Sequence, residues 1–168
     1  MKEKAIVYSS QTGFTARYAT LLGEMLSLPV YSLKEAKGQL AKKESVIYFG
    51  WLMGGLVRGL APARKRFSVS AVCAVGMGEA GSQLESVRQM NRLEESIPLY
   101  TLQGGYREEA LPAVYRWVMQ PVKKSLISSL SAKENRSEGE ERSLRMLREG
   151  GDCVERDALL PIAKAFLQ

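Results

Sequence analysis

The chain has 168 residues, 45% hydrophobic and 25% charged, a size and composition that fit one globular domain with a sizeable core. It contains no histidine, which excludes His-dependent triads and most catalytic zinc sites; Cys73 and Cys153 have neither CxxC nor metal-ligand spacing, so no metal site is expected. The net charge of +6 is moderately basic, but no RNP, zinc-finger or basic-zipper pattern accompanies it, so nucleic acid is not expected as a partner.

In chain order, MKEKAIVYSS holds too short an apolar stretch for a signal peptide, and no run has the length of a membrane span. A cytoplasmic protein is therefore expected. Ala5-Ile6-Val7-Tyr8 is continuously apolar, as in a strand covered on both faces. From Thr15 to Leu26, apolar residues at Tyr18, Ala19, Leu22, Met25 and Leu26 mark one buried helix face. Pro29 to Leu33 predicts a second strand, and a weak helix follows to about Gly38. Val46 to Phe49 predicts a third strand closed by Gly50, with a glycine loop (Gly54, Gly55, Gly59) and a short basic helix or turn at Arg64-Lys65-Arg66 behind it. Val69 to Val75 predicts a fourth strand, with Cys73 as a small buried residue, and a helix from about Ser82 to Leu93. Pro98 to Leu102 predicts the fifth.

Beyond Gly104-Gly105 the character changes. Glu109 to Leu130 is a long helical stretch with Pro121 as a kink point, and Ser131 to Glu141 is a polar excursion. Ser137-Glu138-Gly139-Glu140 spells a capping box for a helix ending at Gly150-Gly151. Asp157 to Leu167 is the closing helix.

Five short strands separated by helices predict an α/β three-layer sandwich: a five-stranded parallel sheet in the order 2-1-3-4-5 with helices on both faces. The ligand crevice of such a sheet lies at the carboxyl ends of its first and third strands. We expect one domain over residues 1–168, with a core over 1–130 and a helical extension over 131–168 packing on it.

Two glycine loops compete for an anion. Gly76-Met77-Gly78-Glu79-Ala80-Gly81 spells GxGxxG after a strand, but the window some twenty residues on, Leu99 to Gln103, has no acidic group for a dinucleotide ribose. The loop after the first strand, Ser10-Gln11-Thr12-Gly13-Phe14-Thr15, is at the switch point and opens a helix, whose N-terminal N–H groups favour an anion without any lysine. It lacks the lysine of a nucleoside-triphosphate loop, so a monophosphate suits it. Taken alone, Thr12 or Thr15 also reads as a plain N-cap.

The pattern S-x-T-G-x-T at Ser10 to Thr15 resembles the FMN phosphate loop of the flavodoxin family, over roughly residues 3–130. That resemblance implies a flavodoxin-like fold and an FMN cofactor. Its ring would be held by Trp51, Leu52, Met53, Gly54 and Gly55 after the third strand, and by Gly76, Met77, Gly78 and Glu79 after the fourth. Trp51 reads either as a flat face for the ring or as a core residue at a strand end. Glu79 reads either as a carboxylate that disfavours a flavin anion or as a solvated helix-entry residue. Flavin carries its own redox chemistry, so no catalytic side chain is assigned, and the absence of histidine fits.

Electron-carrying flavodoxins are strongly acidic, whereas this chain is basic, and Met77 stands where that family usually has tyrosine. The tail, with Gly104-Gly105-Tyr106-Arg107 and Tyr115-Arg116-Trp117-Val118-Met119, resembles the branch that includes quinone-dependent protoporphyrinogen dehydrogenase; that branch's extra loop near the last strand is very short or missing here. The resemblance implies an oxidoreductase with a quinone or a protein as redox partner. An open flavin face flanked by Arg107, Arg116, Lys123 and Lys124 implies an acidic small-molecule substrate or contact with anionic lipid. The alternatives are a flavodoxin-type electron carrier and a flavodoxin-fold protein that has lost its cofactor.

Overall fold

The computed structural model describes residues 2–167. β1 (Ala5–Ser9) leads into α1 (Phe14–Leu26), and β2 (Val30–Ser32) into α2 (Leu33–Gln39). β3 (Ser45–Met53) reverses into a short β4 (Leu56–Val57) before α3 (Leu60–Arg66). β5 (Ser68–Gly76), α4 (Leu84–Met90) and β6 (Leu99–Gln103) follow. Strands β2, β1, β3, β5 and β6 are neighbours in that order and pair in parallel. Counted among the parallel strands alone, this is the expected order 2-1-3-4-5, and the fold is an α/β, flavodoxin-like three-layer sandwich.

Alternate side chains of a strand point to opposite faces, and both faces here are covered. Ile6, Phe49 and Cys73 pack toward α1 and the C-terminal helix. Val7, Tyr48 and Val72 pack with Ala36 of α2, Leu60 of α3 and Val87 of α4. Two-sided burial is why these strands are apolar without alternation.

β3 does not end at Gly50. That residue pairs with Ser9 on one side and Ala74 on the other, and the strand continues through Trp51 to Met53. It turns at Gly54 and Gly55, with φ of 58° and 80°, and Met53 pairs antiparallel with Leu56. Positive φ at both central residues is what a two-residue hairpin turn requires.

After β6 the chain leaves the sheet for residues 104–155. This stretch holds β7 (Gly105–Tyr106), a 3-10 turn at Glu108–Ala110, α5 (Ala113–Ala132), α6 (Glu138–Glu149) and β8 (Gly151–Asp152), which pairs antiparallel with β7. Pro121 lies inside α5 without ending it. The Ser137 capping box forms as expected, Ser137 Oγ accepting from Glu140 N–H at 3.1 Å and the Glu140 carboxylate from Ser137 N–H at 2.9 Å.

A further 3-10 turn (Arg156–Leu159) and α7 (Leu160–Phe166) then rejoin the core, where Leu159, Ile162 and Ala163 are buried against α1. The final core helix therefore comes from the C-terminal end, and the boundary placed at residue 130 falls inside α5. The stretch between the last parallel strand and the final core helix is long, and the helical stretch expected over Glu109 to Leu130 forms in it as α5 (Ala113–Ala132). Among the described residues no helix is long and apolar enough to cross a membrane.

Candidate functional site

A cavity of about 670 Å³ lies at the carboxyl ends of β1, β3 and β5. Its volume is in the range that takes a small cofactor. All three loops singled out in the sequence reach it. Gln11, Thr12, Phe14 and Thr15 line one end, Trp51 to Gly55 one wall, and Gly76 to Glu79 another. Ser10 and Gly13 stand behind the lining; the Gly13 N–H donates to Ser10 Oγ at 3.1 Å.

Neither Thr12 nor Thr15 caps α1. Gly13 is the N-cap residue, at φ 96°, and has no side chain to cap the helix; Ser10 Oγ takes only the Gly13 N–H. A left-handed φ is open to glycine at little cost, which is the local reason for Gly13. The first N–H groups of α1, which have no intrahelical acceptor, are left without a side-chain partner beside the cavity.

Trp51 is half-buried on β3 and forms the cavity wall, so the core reading of this residue does not hold. The Arg58 guanidinium lies 5.8 Å from its ring centroid. Asn91 pins the adjoining hairpin: its Nδ2 donates to Gly55 O at 2.9 Å, and its Oδ1 accepts from Val57 N–H at 2.9 Å. Deeper in, Tyr48 Oη donates to Arg58 O at 2.8 Å, and burial pushes its hydroxyl up to about 12.

The Gly76–Glu79 loop is held from both ends. Gly104 N–H donates to Gly76 O at 2.8 Å, and Met77 O accepts from Gln103 Nε2 at 3.1 Å and from Ser143 Oγ at 2.5 Å. Glu79 accepts from Ser137 Oγ at 2.7 Å, which ties the loop to the start of α6. The GxGxxG run does not open a helix directly, since α4 starts only at Leu84. That removes the helix N-terminus a dinucleotide loop needs.

The roof was not anticipated. Tyr115, Met119, Val122, Leu126 and Leu130 of α5 line the cavity, with Ser143 and Leu147 of α6 beside them. Their spacing is one helix face, so the periodicity was visible in the sequence, but what the face covers was not. No residue of α5 is buried, because that face borders the cavity instead of packed side chains.

The four basic groups expected around the site separate. Arg107 lines the cavity and stacks over the Phe14 ring at 5.1 Å. Lys123 is paired with Glu108 at 2.7 Å and lies 5.4 Å from the Tyr106 ring. That hydrogen bond, with a second from Gln120, holds the Glu108 carboxyl below the usual range, and the bond to Glu108 raises Lys123. Arg116 and Lys124 are exposed and do not line the cavity. Cys73 is buried, and burial drives its thiol far above the ordinary range, so it is an inert core group.

No family model, curated protein or solved structure matches the chain.

Proposed function

We propose that this chain binds FMN and acts as an oxidoreductase, in the manner of the protoporphyrinogen dehydrogenase-like branch of the flavodoxin family. The observation that carries this reading is the convergence of three loops on one cavity at the switch point of a parallel sheet. The residues present fit the group. The uncapped start of α1 and the hydroxyls of Thr12 and Thr15 suit a phosphate. Trp51, Leu52 and Met53 form an apolar wall for a flat ring, and the glycines at 54, 55, 76 and 78 let main-chain groups approach its edge.

In this reading Gln11 to Thr15 hold the phosphate, and the Trp51–Gly55 and Gly76–Glu79 loops border the ring. Gly104 to Arg107 form the rim. Bound FMN would supply electron and hydride transfer, so no general base is required of the protein. Tyr115, Met119 and Leu126 of α5 exclude water from above, and the Arg107 charge favours an anionic group near Phe14.

An enzyme is favoured over a carrier for two reasons. The cavity extends under α5, beyond the loops that border the ring, and so has an apolar compartment for a substrate or a quinone. The chain is also basic, with a net charge of +6, unlike an acidic shuttle. A flavodoxin-type electron carrier is the second reading, supported by the fold itself. A cytoplasmic location belongs to both.

Colour is the first test. Protein that is purified colourless, releases no FMN on heating and takes up none when FMN is added would refute the cofactor. If FMN binds, anaerobic turnover of protoporphyrinogen with a quinone acceptor supports the enzyme, and reaction with a protein partner alone supports the carrier.

A further inference from the structure

The positive charge of the chain is gathered on the helical face that carries α2 and α3. Residues 34–66 hold eight basic side chains and two acidic ones, an excess equal to the whole net charge of +6, and the rest of the chain carries 16 of each sign. The two helices bring these residues together, because Ala36, Leu60 and Ala63 pack on the same face of the sheet. Their C-terminal ends meet at Arg66. Its Nη2 donates to Lys37 O at 3.0 Å and to Leu40 O at 2.9 Å, and its carbonyl accepts from Lys43 N–H at 2.8 Å.

Little of this charge is neutralised. Glu94 reaches Arg64 at 4.0 Å, and no other cation of residues 34–66 has an ion-pair partner among the described residues. Glu35 is held in the Ser32 capping box. Lys34, Lys37, Lys42, Lys43 and Lys65 are all exposed. The helix dipoles account for a cation in the last turn of α2 and of α3. They do not account for Lys42 and Lys43, which lie beyond α2, and they disfavour Lys34, which sits in its first turn. Like charges crowded in this way repel one another, and a complementary surface relieves the repulsion.

We propose that the α2–α3 face is a docking surface for an acidic protein. Between its charges the face is flush: Ala61 and Pro62 are exposed beside Lys65, so a partner can lie flat on it. Lipid and nucleic acid fit it less well. No large apolar side chain of α2 or α3 is exposed to enter a bilayer. Neither helix carries an aromatic residue on which a base could stack. Carboxylates on a protein surface need only matched cations within reach, and such complementarity steers the encounter and fixes its register. A second copy of the chain in a two-fold contact would bring the same cations together. The inference stands on the outer side of α2 and α3 and does not depend on what the cavity holds.

The test titrates the full chain into labelled poly-L-glutamate, a carboxylate-bearing polypeptide, and in parallel into single-stranded RNA and phosphatidylglycerol vesicles. Binding to poly-L-glutamate is expected, weakened by added salt. The variant Lys34→Gln, Lys37→Gln, Lys42→Gln, Lys65→Gln should lose about thirtyfold in affinity, and Lys42→Gln with Lys65→Gln alone about fivefold. A control with the same net charge, Arg116→Gln, Lys124→Gln, Arg145→Gln, Lys164→Gln, should stay within about twofold of the parent. All eight positions are exposed, and unchanged thermal unfolding confirms that each fold is intact. Absence of binding to poly-L-glutamate overturns the proposal, and so do equal losses in the two fourfold variants, which would make net charge the cause. RNA or vesicles bound more tightly than poly-L-glutamate, and released by the α2–α3 substitutions, would assign the face to that class of partner and overturn the proposal as well.

Discussion

Trp51 and Tyr115 meet edge to face, with ring centroids 5.6 Å apart and planes at 87°. The pair joins the β3 wall of the cavity to its α5 roof. Offset and edge-on aromatic contacts add about 0.5–1.5 kcal/mol beyond burial, and a flat ligand on Trp51 would gain a similar contact. Trp51→Ala is therefore expected to lower FMN affinity by about tenfold or more, read as loss of FMN fluorescence quenching in a titration. Tyr115→Phe keeps the ring contact and should leave affinity within about twofold. Full affinity in Trp51→Ala would remove the ring from this wall.

Thr12 lines the cavity beside the uncapped start of α1. A carboxylate there would face the phosphate and compete with it for the same N–H groups. Thr12→Glu should reduce FMN affinity by about tenfold to a hundredfold, with less effect on riboflavin, which has no phosphate. Equal losses for both ligands would show that the phosphate is held elsewhere.

Tyr106 is buried, and its hydroxyl makes no hydrogen bond among the described residues. A buried polar group without a partner costs about 1–3 kcal/mol. Tyr106→Phe removes that cost and keeps the ring under Lys123, so unfolding stability should stay level or rise by up to about 2 kcal/mol. Urea unfolding measures it. A clear loss of stability would mean that the hydroxyl has a partner in solution.

Asp152 of β8 pairs with Arg17 of α1 and accepts from Val154 N–H at 2.9 Å. Partial burial works against its charge, but the Val154 and Arg17 bonds outweigh it and hold the carboxyl below its ordinary range. A depressed carboxylate contributes stability that is present above its unfolded value, about 4, and is lost as pH falls through the lower folded value. Both side chains are more than a third exposed, so the contribution is under about 1 kcal/mol. Asp152→Asn should lower the melting temperature slightly at pH 7 and converge with the parent near pH 2. A constant gap at all pH values would mean that the pair contributes nothing through charge.

The parallel sheet was legible because its strands are buried on both faces, and runs such as Val46 to Phe49 and Val69 to Val75 can be little else. The phosphate-loop candidates were legible because polar residues and a glycine interrupt the chain between β1 and α1. Gly50 misled for a physical reason. Read as a strand end, it is a point of close approach, where a Cβ would lie 2.5 Å from Val57 Cγ1 and 2.7 Å from Arg58 O as the hairpin folds back. The β7–β8 pair had no local signal, since each strand is two residues long and the partners are distant in sequence. The place of α5 was hidden for the same reason: periodicity reveals an apolar face, and only the tertiary fold says that it covers a cavity.

Gln103 is the polar residue on which the roof and the fourth-strand loop both depend. It is 6% exposed at the end of β6, and its Nε2 lies 3.1 Å from Met77 O, 3.1 Å from Gly139 O and 3.0 Å from Ser143 Oγ. Two amide protons are shared among three acceptors, so this one side chain links the Gly76–Glu79 loop to the first turns of α6. Gln103→Leu keeps the bulk and removes both donors. Ser143 Oγ can still donate to Met77 O or Gly139 O, so the loss should be about 1–3 kcal/mol instead of a complete failure to fold. For a chain of this length that corresponds to a fall of several degrees in melting temperature. FMN affinity should fall several-fold as well, because the loop would no longer be held against α6. Gln103→Glu offers the acceptors no amide protons and places a carboxylate among carbonyl oxygens, so it should be worse than leucine. Leucine and glutamate variants of parent stability would show that the three short distances do not correspond to working hydrogen bonds.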